Sequence, residues 1–176
     1  MAASSEAGLS RFNALPAGEA RAALLRCCGS AHWAEMMTAG RPYADDDALL
    51  AAADRTWTEL EPGDWREAFA HHPRIGDRAA LEARFAATRA WSAGEQGGVA
   101  TAGTEVLDAL AERNRAYEAR FGHVFLVCAT GRTADEMLAL LRERLTNAPE
   151  VELRVAAAEQ AKIMRLRLAK LLQEVA

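Results

Sequence analysis

Residues 150–174 read EVELRVAAAEQAKIMRLRLAKLLQE, directly after Asn147-Ala148-Pro149. Neither Gly nor Pro interrupts the run, and Ala, Leu, Glu, Lys and Arg are strong helix formers. Leu153, Ala157, Ile163, Leu166 and Leu171 supply an apolar side, so the stretch predicts one long final helix over Glu150–Glu174. Asn147-Ala148-Pro149 marks the end of the helix before it. Working outward, that preceding helix opens at Thr133 or Thr130 and runs to about Leu145, with Thr133-x-x-Glu136 as a capping box. Thr104–Arg120 and Leu81–Arg89 predict two more helices, and Phe121-Gly122-His123 interrupts between the first of these and Val124. Trp91–Thr101, with Gly94, Gly97 and Gly98, predicts irregular chain or a broken helix.

The first half continues the pattern. Leu9–Leu15 opens the fold, and Pro16 suits the first turn of a helix reaching about Cys28. Ser30 caps Ala31–Ala39, Asp45–Thr58 forms the next helix, and Pro62-Gly63-Asp64 reads as a break from which Asp64 caps Trp65–Ala70. Val124–Ala129 is the only strand-like run; standing alone it has no partner, so it reads as a buried extended segment or a helical entry. The sequence therefore predicts an all-α, single-domain bundle of about eight helices over residues 1–176, with residues 1–8 as a flexible N-terminus. No internal repeat or linker divides it.

Composition narrows the function. The chain has 176 residues, 51% hydrophobic and 26% charged, which excludes a disordered protein and lets about 70% of the unfolded surface be buried. Lys+Arg 21 against Asp+Glu 25 gives a net charge of −4, the wrong sign for a nucleic-acid partner. The longest apolar run, Val124–Ala129, is about a third of a membrane span of roughly 18 residues. Met1–Ser10 has no basic or apolar leader pattern, and the C-terminal residues match no peroxisomal address. Cys27, Cys28 and Cys128 have no metal spacing and no favourable disulfide, which suits a reducing cytoplasm.

Chemistry concentrates on the breaks between helices. Pro73 pushes His72 out of the helical region and leaves its imidazole on a loop. Ser92-Ala93-Gly94-Glu95-Gln96 lies in the second irregular stretch. A His and a Glu on such breaks form a general acid/base pair near neutral pH; equally, His72 caps a helix and Glu95 is solvated. Adjacent His71 and His72 do not face one metal as i,i+4 pairs do, and no nearby Cys or Asp completes a ligand set. Gly97-Gly98 lacks the preceding strand and following Lys of a phosphate loop.

Taken together, His72-Pro73-x-Ile75-Gly76, Ser92-x-x-Glu95-Gln96, Arg113-Asn114-x-x-Tyr117-x-x-Arg120-Phe121-Gly122-His123-x-Phe125, Arg144-Leu145-x-Asn147 and Glu159-x-x-Lys162-Ile163-x-x-Leu166-Arg167-Leu168 closely resemble the 2-oxo-4-hydroxy-4-carboxy-5-ureidoimidazoline (OHCU) decarboxylases. Each piece alone is weak, whereas five in order from Phe12-Asn13 to Leu172 are specific. His123-Val124-Phe125 and Cys128–Arg132 look like the bacterial branch.

The resemblance implies an all-helical homodimer without cofactor or metal, converting OHCU to (S)-allantoin and CO₂ in urate breakdown. It implies that His72 is the catalytic histidine and Pro73 a substrate contact. It places Ser92, Glu95 and Gln96 in a substrate-binding segment, with Glu95 also catalytic. Val127, Cys128, Ala129, Thr130 and Gly131 match a backbone segment that contacts the heterocycle, and Arg167 an arginine that points into the site. His71 then reads as a helix-end residue, His123 as the closure of the turn after Gly122, and Arg165 as a solvated neighbour on another helix face. Trp33, Trp57 and Trp65 read as core. The competing class is a non-catalytic helical interaction module, in which the same residues are caps and turns.

Overall fold

A computed structural model of the chain describes residues 2–72, 102–128 and 132–174. They are all-α: eight helices, with no strand among the described residues. In order these are α1 (Ala2–Ala14), α2 (Ala17–Cys27), α3 (Ala31–Ala39), α4 (Asp46–Glu59), α5 (Pro62–Ala70), α6 (Ala102–Phe121), α7 (Ala134–Arg144) and α8 (Pro149–Glu174). The helix expected over Leu81–Arg89 and the irregular stretch Trp91–Thr101 lie outside the described residues. No described helix is long and apolar enough to cross a membrane. Two compact units are present, Met1–His71 with Ala157–Ala176, and His72–Ala156.

In the first unit the expected Ser30 cap is in place, and Asp45, expected as the first residue of its helix, stands one residue before α4 as its cap. Ser30 Oγ accepts a hydrogen bond from the Trp33 amide (3.2 Å) and Asp45 Oδ1 from the Ala48 amide (2.7 Å). α2 packs on α3, and α3 on α4 and α5. Trp33 is wholly buried with its indole N–H on Ala53 O (3.2 Å), and Trp57 ties α4 to α8 through Ala157 O (3.0 Å). Trp65 is only half-buried, its ring centroid 6.2 Å from that of Trp57. The first eight residues, expected to be flexible, fall largely within α1.

Three sequence expectations change. Pro62-Gly63-Asp64 is not a break but the first turn of α5, because proline needs no donor at the first helical position. Asp64 does not cap Trp65; it reaches back to accept from the Glu61 amide (3.2 Å), and Glu61 is the capping position. On α8, Leu166 is 44% exposed rather than part of the apolar side. Among its buried residues, Leu153, Ala157, Gln160, Met164, Leu168 and Leu171 recur at spacings of three and four, and Leu166 lies across the helix from them.

The second unit packs α6 on α7 around Leu107, Leu110, Tyr117, Phe125, Met137 and Leu141. Gly122 ends α6 at φ +73, a left-handed conformation that glycine adopts without steric cost, and its N–H bonds Glu118 O (2.9 Å). Residues 124–128 are neither helix nor strand, and Val124–Val127 are buried. Both halves of the α7 capping box form: Thr133 Oγ1 accepts from the Glu136 amide (3.2 Å), and Glu136 Oε2 from the Thr133 amide (2.8 Å).

Candidate active site

His72 follows directly on the C-terminus of α5. The helix stops at Ala70; His71 stands at its C-cap at φ −80, ψ −4, with its N–H on Ala68 O (3.3 Å). His72 is then in a bend and half-buried, past the last residue of α5. His71 is the helix-end residue expected. Its ring lies against Gly29 so closely that a Cβ on Gly29 would stand 2.6 Å from the His71 Cβ, Cγ and Cδ2. Gly29, the residue after the α2 C-cap, thus leaves room for the imidazole that immediately precedes His72.

Arg167 is half-buried on α8, three residues after Met164 and four before Leu171, both buried. That phase sets it at the edge of the apolar face. Its Nη1 donates to Arg26 O (3.4 Å) and Cys27 O (3.5 Å), long contacts to carbonyls at the end of α2. A cleft of about 220 Å³ opens there, lined by Ala23, Arg26, Cys27, Arg167, Lys170, Leu171 and Glu174. Its lining carries three cations and one carboxylate, Glu174, whose oxygen stands 3.9 Å from Arg26. Burial pushes the Cys27 thiol up to about 11, against the pull of Arg167, so it is a protonated wall of the cleft at neutral pH. Arg165 points elsewhere, to Asp54 in a two-point ion pair in which its Nε is 2.9 Å from Oδ1.

Val127 and Cys128 belong to the second unit, as His72 does, whereas Arg167 belongs to the first. The Val127 side chain is part of the α6–α7 core. Cys128 is half-buried, and its carbonyl accepts from Arg132 Nε (3.3 Å). Pro73, Ser92, Glu95, Gln96, Ala129, Thr130 and Gly131 lie outside the described residues. His123 is buried among aromatic rings, edge-on to Tyr117 at 5.5 Å and stacked on Phe121 at 6.2 Å, with Nδ1 3.1 Å from Val124 O. No three His, Cys, Asp or Glu among the described residues cluster as a metal site.

One polar constellation escaped sequence reasoning. Glu152 is fully buried, and its Oε1 accepts from Arg144 Nε (2.8 Å) and from the Tyr117 hydroxyl. Asn147 Nδ2 donates to the other carboxylate oxygen (2.7 Å). Burial first, then the hydrogen bond to Glu152, raises the Tyr117 phenol far above its ordinary range. The signal was present in phase: Arg144 follows buried Met137 and Leu141 at helical spacing, and Glu152 precedes buried Ala156 by four. A cation and an anion on two buried stripes imply each other, since an unpaired buried charge is costly.

The family model described as OHCU decarboxylase matches residues 13–169. The chain is 39% identical over 150 residues to the uric acid degradation bifunctional protein TTL of Arabidopsis thaliana, covering 85% of this chain and 46% of that one. It therefore spans about half of that relative. It is 34% identical over 139 residues to the 2-oxo-4-hydroxy-4-carboxy-5-ureidoimidazoline decarboxylase of Amia calva, covering 76% of each. A crystal structure of OHCU decarboxylase in the presence of (S)-allantoin superposes with a TM-score of 0.67 at 38% identity, over 84% of this chain and 95% of that one. An (S)-allantoin synthase structure shares the fold at a TM-score of 0.66 and 20% identity, over 93% of this chain and 53% of that one.

Proposed function

The chain belongs to the OHCU decarboxylase family, and from that premise we propose that it decarboxylates 2-oxo-4-hydroxy-4-carboxy-5-ureidoimidazoline to (S)-allantoin in urate breakdown, without a cofactor. The observation that carries the reading is the family match over residues 13–169, which takes in every candidate site residue. The chemistry agrees with the residue types. Loss of CO₂ leaves an electron pair that the conjugated imidazoline itself takes up, so no external electron sink is needed. The protein has to hold an anion, move a proton and present one face for reprotonation.

His72 is the proton shuttle, to or from the substrate hydroxyl or the enolate-like intermediate. Glu95 orients that imidazole or anchors the ureido N–H groups. Ser92, Gln96 and the backbone of 127–131 suit a ligand rich in donors and acceptors, and Pro73 walls the site. Arg167 holds an anionic oxygen; its half-buried guanidinium in a cation-rich cleft supports this role, because a planar fork binds carboxylate at two points. The active form is a homodimer in the cytoplasm, as the family resemblance implies.

The test generates OHCU in situ from urate with urate oxidase and hydroxyisourate hydrolase, then adds this protein. OHCU absorbance should fall faster than its spontaneous decay, and allantoin circular dichroism should appear. Because the uncatalysed product is racemic, the optical signal separates catalysis from background. Neither acceleration nor optical activity would return the chain to a helical interaction module.

A further inference from the structure

We propose that Arg144 is a positioning residue for this reaction: clamped by Glu152 and Tyr117, it fixes the backbone of residues 126–128 at the entrance to the substrate-contacting segment. The inference rests on the function proposed above and deepens it. Residues 124–127 are buried and Cys128 half-buried, yet 124–128 belong to neither helix nor strand, so no described ladder of backbone bonds holds their direction. Side chains do so instead. Arg144 Nη1 donates to Leu126 O at 2.6 Å, and the guanidinium lies 4.7 Å from the centre of the Phe125 ring. The neighbouring carbonyls of Val124 and Cys128 are met by His123 and Arg132.

The clamp on Arg144 is complete. Its Nε and Nη2 stand 2.8 and 2.5 Å from Glu152 Oε1, and Nη2 also reaches the Tyr117 hydroxyl at 3.3 Å. Asn147 occupies Oε2, so both carboxylate oxygens are loaded and the acid cannot swing. A buried ion pair is a poor way to gain stability, since apolar side chains of similar volume often do as well. Apolar side chains cannot aim a carbonyl. The fork can, because two of its nitrogens are spent on Glu152 while the third points along a fixed direction to Leu126 O. A lysine, as a single point charge, cannot serve both.

The experiment measures Arg144→Lys and Tyr117→Phe on freshly generated OHCU, together with (S)-allantoin affinity by calorimetry. Arg165→Lys serves as the control outside this network. A loosened binding segment should raise KM by about tenfold or more in Arg144→Lys, with a smaller fall in kcat. The dissociation constant for (S)-allantoin should rise in parallel. Tyr117→Phe, which removes one hydroxyl, should move both in the same direction by a smaller factor and decides the matter if Arg144→Lys does not fold. Folded variants with lower thermal stability but unchanged KM and (S)-allantoin affinity would overturn the inference, as would a loss confined to kcat. An inactive wild type overturns the function itself and this inference with it; an active wild type beside unaffected variants overturns only the positioning role.

Discussion

On the role proposed for it as proton carrier, His72→Ala should cut turnover by about 10²–10⁴-fold, and since His72 stands in a bend after the last residue of α5, helical circular dichroism should stay intact. His71→Ala should keep most activity; the reverse pattern in steady-state rates would move the role to His71. Their neighbour Gly29 gives a sharper residue-level check. A methyl there meets the His71 ring at 2.6 Å, so Gly29→Ala has to displace His71 and with it the start of the His72 bend. A misplacement approaching 1 Å costs up to about 10²-fold in rate, so kcat/KM for Gly29→Ala should drop by about tenfold or more. A fully active Gly29→Ala protein would show that His72 is held from elsewhere. Arg167→Lys should lose about tenfold or more in kcat/KM, since an ammonium does not reproduce a planar two-point contact. Arg165→Lys, on a surface ion pair with Asp54, should be nearly silent. Equal kinetics for the two substitutions would take Arg167 out of the site.

Among the elements, the caps carry the most legible energetics. Thr133 Oγ1 takes the amide of Glu136, one of the orphan donors at the start of α7, and Thr133→Ala should destabilise the fold by about 0.5–2 kcal/mol in urea titration. An unchanged midpoint would mean that water satisfies that amide equally well. Thr133 and Ser30 were readable because a cap is a local rule: one side chain, one amide three residues on. The start of α5 was misjudged because Pro and Gly signal both a turn and a first helical turn, and only the Glu61–Asp64 bond decides between them. Leu166 misled for another reason: one exposed leucine on a helix costs little, so composition does not mark it as facing water. Arg144 and Glu152 stayed hidden because their pairing joins two helices, which no single-helix pattern encodes. Arg167 and His72 show the converse. Local sequence placed His72 at a helix end, but the chemistry proposed for both rests on the ordered motifs shared with a family.

Across the whole molecule, buried ionisable groups tie stability to alkaline pH, and the direction follows from where their protons are held. Burial pushes Cys27 from 9.0 up to about 11 and Cys28 to about 12, and it raises Tyr117 above 10.0. A group raised in the folded state keeps its proton where the unfolded chain has released it. Below the unfolded value both states hold the proton and the stabilisation is fully present. Between about pH 9 and 11 the unfolded state binds fewer protons, so the free energy of unfolding falls by up to about 1.4 kcal/mol per pH unit for each such group. The urea midpoint should therefore stay flat from about pH 7 to 8.5 and decline above about pH 9. Tyr43 and Tyr117, both raised by burial, act in the same direction, so the decisive quantity is the difference from a Cys27→Ala, Cys28→Ala double variant. That variant should begin less stable, having lost packed sulfur, and then lose stability less steeply than wild type as the pH rises. Parallel slopes for the two proteins would mean that the thiols ionise as easily folded as unfolded, against their burial at 3% and 0% exposure. The same protonated state predicts that neither thiol reacts with iodoacetamide at neutral pH until the protein is unfolded.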